Sequence, residues 1–149
     1  MTFRFQSMIK RADLRENPDV IYLFGDNDQR SGYGGQAEEM RGEPNARGVR
    51  TKKAPSRRPD AFFSDAEFEE NRLQIDNDLF GLWDHLAAGG DVVCPMNGLG
   101  TGLSDLAATA PRTNNFLRHQ LENLHTHFGY ERHPERLESA RKCQPNRSY

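Results

Sequence analysis

The sequence predicts an α/β domain built on a largely parallel sheet, and three observations carry that prediction. The runs Val20-Ile21-Tyr22-Leu23-Phe24 and Asp91-Val92-Val93-Cys94 are short, continuous and apolar, the pattern of strands covered on both faces. Other segments place their apolar residues at helical spacing. Strands and helices then alternate along the chain, the order expected of an α/β layer.

The elements follow in sequence. Phe3, Phe5 and Met8 alternate weakly, which reads as an edge strand over 3–8. Residues 13–19 are mostly polar and close in the turn signal Asn17-Pro18-Asp19. After the strand at Val20–Phe24, Gln36 to Arg41 holds good helix formers and stops at Gly42. The start of that helix would aim free N–H groups back at the preceding turn. A short strand is expected near Val49–Thr51, then a loop broken by Pro55 and Pro59. Ser64-Asp65-Ala66-Glu67 has the form of a capping box. From it Phe68, Ile75, Leu79, Leu82 and Leu86 mark one face of a single helix of about six turns, stopped by Gly89-Gly90. After the strand at Asp91–Cys94, Pro111 suits the first position of a last helix. Its apolar face is Leu117, Leu121, Leu124 and Phe128, and Gly129 closes it. One domain over 1–129 is expected, with 130–149 a polar, solvated tail.

Composition narrows the classes. Hydrophobic residues are 35% of 149, enough for a lean core, and a net charge of -2 supplies no global pull toward nucleic acid. Cys94 and Cys143 stand alone, and His119, His125 and His127 lack metal-ligand spacing, so neither a metal nor a bound cofactor is expected. No apolar stretch reaches membrane-spanning length and the N-terminus lacks a signal-type apolar region, which reads as a cytoplasmic protein.

Two glycine-rich turns carry the chemistry. Gly25-Asp26-Asn27 leads through Arg30-Ser31 to Gly32-Tyr33-Gly34-Gly35, and Asn97-Gly98-Leu99-Gly100-Thr101-Gly102-Leu103-Ser104-Asp105 follows the later strand. Glycines there let main-chain N–H groups approach a phosphate without a Cβ in the way. Both turns directly follow strands, so both can lie at the carboxyl edge where such sheets bind ligands. Together they point to a ligand with two phosphates, or a phosphate and a sugar. Neither turn has the dinucleotide or P-loop spacing, and no G-x-S-x-G elbow is present. Asp26 and Asn27 are either turn formers or groups presented to a ribose or base. Asp105 is either a cap or the carboxylate that serves the second turn.

Arg47 to Arg58 holds six Lys/Arg and no acid, which makes either a solvated loop or a nucleic-acid patch. Within it, Lys52 at a strand end can meet a phosphate. Crowded by Arg50 and Lys53 and partly desolvated, it can instead act as a nucleophile.

These same segments resemble the macrodomain superfamily, closest to the terminal ADP-ribose protein glycohydrolases and the DNA-ADP-ribosyl glycohydrolase antitoxins. Ser31-Gly32-Tyr33-Gly34-Gly35-Gln36-Ala37 is similar to the family's first glycine turn. Val49-Arg50-Thr51-Lys52-Lys53 is similar to its lysine strand, and Leu99 to Asp105 to its last turn. The likeness spans roughly 20–128. It implies a compact three-layer sandwich with a mostly parallel mixed sheet, binding ADP-ribose or an ADP-ribosyl adduct of nucleic acid or protein. The N–H groups of Gly32 to Gly35 and of Gly98, Gly100, Thr101 and Gly102 would hold the diphosphate. Asn27 would fix the distal ribose. Lys52, after Thr51, would attack the anomeric carbon, with Asp105 or Ser104 where relatives carry an acid. A non-catalytic reader of an NAD-derived nucleotide is the alternative within the same resemblance.

Overall fold

The two strongest apolar runs lie side by side at the centre of one sheet. A computed structural model describes residues 2–129; the tail expected over 130–149 lies outside the described residues. Strands β1 (Phe3–Gln6), β2 (Val20–Asn27), β3 (Ala46–Lys52) and β4 (Asp91–Pro95) form a four-stranded sheet in the order β1-β4-β2-β3. Every strand pair is parallel, so the mixed sheet implied by the resemblance is parallel throughout among the described residues. One isolated antiparallel bridge joins Lys52 to Phe62. The weak alternation at 3–8 is indeed an edge strand, and β3 forms the other edge.

Alternation along the strands builds a core on each face. Phe3, Leu23, Val49, Val92 and Cys94 pack with α3 (Phe68–Leu79), α4 (Leu82–Ala87) and α6 (Pro111–Phe128), through Ile75, Leu79, Leu86, Leu117 and Leu124. Val20, Tyr22, Phe24 and Val93 face the other way, against Leu14 of α1 (Arg11–Glu16) and Ala37 and Met40 of α2 (Ala37–Met40). Helices therefore cover both faces, the arrangement a parallel sheet needs. No described helix is long and apolar enough to cross a membrane.

Three elements differ from expectation. Helix α1 occupies part of the segment read as a polar turn; Leu14 is its one buried residue, too few for a periodic signal. The single long helix is broken between α3 and α4, because Phe80 leaves the helical region and Gly81 turns left-handed at φ 84°. The break keeps Leu79 and Leu82 both buried, so the apolar spacing survives it. Helix α2 is one turn of four residues, too short to present a substantial dipole to the glycine turn.

The capping box is also half used. Ser64 Oγ accepts from the Ala66 N–H, but Glu67 reaches Lys53 rather than back to Ser64. Asp65 instead caps a different helix, accepting from the N–H groups of Arg112 and Thr113 and from the Thr113 hydroxyl. Burial alone would raise its pKa, but these donors hold the carboxyl below its usual range.

Candidate functional site

Because β2 and β4 are adjacent and parallel, the two glycine turns leave the sheet at the same edge. Three sets of contacts hold this edge together. Gln36 Oε1 accepts from Gly25 N at 2.7 Å, while its Nε2 donates to the Gly98 carbonyl at 3.1 Å. The hydroxyls of Thr51 and Ser104 meet at 2.7 Å, tying the end of β3 to the second turn. Leu103 lies over Gly34 so closely that a Cβ there would stand 2.8 Å from its Cδ1. A side chain at 34 would therefore displace the Leu103 tip, which is exposed and can move.

The result is a cleft of two chambers that share Gly25, Gly34, Leu103 and Ser104 in their walls. The wide chamber holds about 590 Å³, with Met8, Ile9, Met40 and Met96 beside the polar groups of Gln6 and Asn97. Gly35, Gly100, Thr101 and Gly102 also line it. The narrow chamber holds about 280 Å³ and contains Lys52, Asn27, Gly32, Ser56 and Arg57. The larger, partly apolar chamber, which Glu39 also lines, therefore abuts a smaller one bearing Arg41, Lys52 and Arg57 along a shared wall, the waist, that contains Gly25 and Gly34.

The first turn is pinned by charge. Asp26 accepts from Arg30, Arg41 and the Asn27 N–H, and Asp78 of α3 accepts from Arg30 and from both the main chain and guanidinium of Arg50. Arg41 also donates to the carbonyls of Ser31 and Gly32. The Asn27 amide closes the turn on itself, donating to Ser31 O and accepting from Gln29 N. Asp26 and Asn27 both line the narrow chamber, yet their polar atoms are engaged in building the turn.

Lys52 sits where β3 slips register. Asp26 faces Arg50 and Asn27 faces Lys52, so Thr51 is the extra residue of a bulge. Thr51 itself is fully buried and lines neither chamber. The Lys52 side chain is 7% exposed, and its Nζ lies 4.6 Å from the Phe62 ring centroid. It makes no ion pair with a carboxylate among the described residues. Burial first, and then the charge of Arg57, pull its pKa below the usual lysine value. A lowered pKa makes the neutral amine, the form in which a lysine can attack an electrophile, easier to reach.

The second turn is different in kind. The N–H groups of Gly100 through Ser104 donate to no described residue, nor do those of Gly34 and Gly35 across the waist. Gly100 adopts φ 77°, which turns the main chain into the cleft. Ser104 lines both chambers, whereas Asp105 and Gly98 line a separate hollow behind the turn. Asp105 is held at φ 44°, exposed, at the start of the short helix α5 (Leu106–Thr109). The structure thus brings Lys52, Ser104, Gly34 and Gly100 to one cleft and leaves Asp105 outside Lys52's chamber.

Several residues that shape the cleft carry no motif. Gln36 directly follows the paired glycines, the one local hint of its cross-linking role; Arg41, Leu103 and Met8 offered no such hint. The basic 47–58 segment is largely committed: Arg50 to Asp78, Lys53 to Glu67, and Arg47 to the Phe80 carbonyl. No cluster of potential metal ligands occurs among the described residues.

These features define a parallel α/β protein with a two-chambered cleft at its carboxyl edge. The chain belongs to DUF7831, a family of unknown function whose profile matches residues 4–120 and so takes in β2, β3, β4, most of β1 and both turns. No curated protein and no solved structure matches it.

Proposed function

We propose that the cleft binds ADP-ribose or an ADP-ribosyl adduct, with the adenine in the wide chamber, the diphosphate at the waist and the terminal ribose beside Lys52. The observation that carries this reading is the joining of three unlike compartments in one cleft: apolar and amide-bearing, rich in free N–H groups, then cationic. A base, a pyrophosphate and a second sugar match them in that order. Unengaged main-chain donors suit an anion already solvated on one side.

On this reading the reaction is cleavage of an ADP-ribosyl link to nucleic acid or protein. The neutral Lys52 amine forms a bond to C1″ as the bond from C1″ to the leaving atom breaks, and a proton lost by the amine goes to the leaving group. Water then adds at C1″, expels the lysine and releases ADP-ribose. A cytoplasmic, reducing setting belongs to the same reading, consistent with Cys94 as a free thiol whose pKa burial pushes up to about 12.

The test is Lys52→Ala assayed beside calorimetry with ADP-ribose. Turnover of an ADP-ribosylated oligonucleotide or peptide should fall at least about a thousandfold while ADP-ribose still binds. Unchanged turnover overturns the lysine mechanism, and no heat with ADP-ribose overturns the site. One observation favours a second reading, a reader without turnover. Among the described residues the only carboxylate lining Lys52's chamber is Asp26, and it is already held by two arginines. Tight binding with no turnover in the unaltered protein selects that reading.

A further inference from the structure

The hollow behind the second glycine turn contains a polar group that the fold does not use. Helix α6 sends Leu117, Leu121, Leu124 and Phe128 into the core. Continued one step toward the N-terminus, that spacing reaches residue 114, where an apolar side chain is expected and the chain has asparagine. Asn114 is 8% exposed, and its side-chain amide makes no hydrogen bond with any described residue. The nearby buried amide of Asn71 shows the contrast, donating to Ser64 O and to the Thr113 hydroxyl. With no partner among the described residues and not sealed from water, the Asn114 amide opens on solvent at the hollow it lines.

Asn114 lines a hollow of about 340 Å³. Phe5, Leu99, Leu106 and Leu121 make its apolar walls, and Asn97 and Asp105 stand among its polar groups. Arg118 also lines it, with its guanidinium 3.6 Å from Glu122 and both side chains largely exposed. Asn114 is the one buried polar side chain of that lining, since Asn97, Thr101, Asp105, Arg118 and Glu122 are exposed. An aromatic ring fits the walls, and a neighbouring donor and acceptor on that ring would pair with both ends of the Asn114 amide.

We propose that this hollow is a second ligand site, taking a planar aromatic ring with an amide-like donor–acceptor edge of the kind found on nicotinamide and on adenine. The site is separate from the cleft and does not depend on what the cleft binds. Met96, Asn97, Gly100 and Thr101 line both, so the second glycine turn is the partition between them.

The experiment is a titration of the ¹⁵N-labelled protein with nicotinamide, adenine and benzoate in separate arms, read at the main-chain amides. Saturable shifts centred on 105–107, 114 and 118 are expected, with a Kd of about 1 mM for so small a probe. A response to nicotinamide alone, to adenine alone or to both supports the site and says which ring it takes. Benzoate has the ring without the donor and should give none. Asn114→Leu should weaken the response at least roughly tenfold, with Lys52→Ala leaving it unchanged. Asn114→Asp keeps the side-chain shape and should weaken it likewise, which separates loss of the amide from loss of the fold. No saturable shift up to about 10 mM overturns the proposal. So does an equal response to benzoate, shifts confined to 6–9 and 34–36, or a response that survives both Asn114 variants.

Discussion

The two glycine turns look alike as sequence and are held by opposite means. The first is fastened by buried charge: Asp26 gathers Arg30 and Arg41, and Arg30 passes on to Asp78 and thereby to β3. The second makes no ion pair with any described residue; a hydroxyl contact to Thr51 and an amide contact to Gln36 tie it to the rest of the edge. Glycine content therefore reports where a chain can approach a ligand. It does not report how firmly that chain is fixed. On the proposed reading the first turn is a preset wall, and the N–H groups of Gly100 through Ser104, with those of Gly34 and Gly35, would face the ligand.

The largest way to break this contrast is at Asp26. Asp26→Ala leaves two guanidinium groups without their shared partner and should lower stability by about 3 kcal/mol in urea unfolding. Asp105→Asn, at the close of the second turn, suits the left-handed backbone there and should change it by less than about 0.5 kcal/mol. Equal effects would erase the distinction. Next comes the bridge between the turns. Gln36→Leu removes both of its hydrogen bonds and should cost about 1–2 kcal/mol. In the same variant ADP-ribose affinity should fall, because the cleft's two sides lose their fixed spacing.

The smallest effect concerns pH and sharpens the comparison at Lys52. Its amine must be neutral to attack, so turnover should rise with pH through its lowered pKa. Arg57→Gln removes the second cause of that lowering, so the rising limb should move to higher pH by less than about one unit. Stability follows the same sign. The unfolded chain binds the proton more tightly, so stability increases as pH climbs from the lowered value toward the ordinary 10.5. Lys52→Met should abolish that increase in unfolding measured across the window.

What could be read in advance follows from which forces are local. The central strands, the edge position of β1 and the helix behind Pro111 were legible because apolar spacing and cap residues act over a few positions. Helix α1 was hidden because only Leu14 is buried. The break at Gly81 was hidden because the apolar face continues through it. At the site, the glycines, Lys52 and Ser104 were legible as residue types suited to anions and nucleophilic attack. Their arrangement was not. That Ser104 enters Lys52's chamber while Asp105 turns out of it depends on one left-handed residue. That Asp26 is consumed by Arg41 depends on partners 15 residues apart in sequence.

The strand order has a consequence for how the molecule comes into being. Strand β4, last in the chain, is inserted between β1 and β2, the first two. The opening quarter of the polypeptide therefore cannot zip up with itself, and β2 keeps a bare edge until residue 95 has been synthesised and released. Early in its life the nascent chain carries the sticky segment Val20–Phe24 with nothing to cover one side, so chaperone dependence should concentrate in that interval of translation.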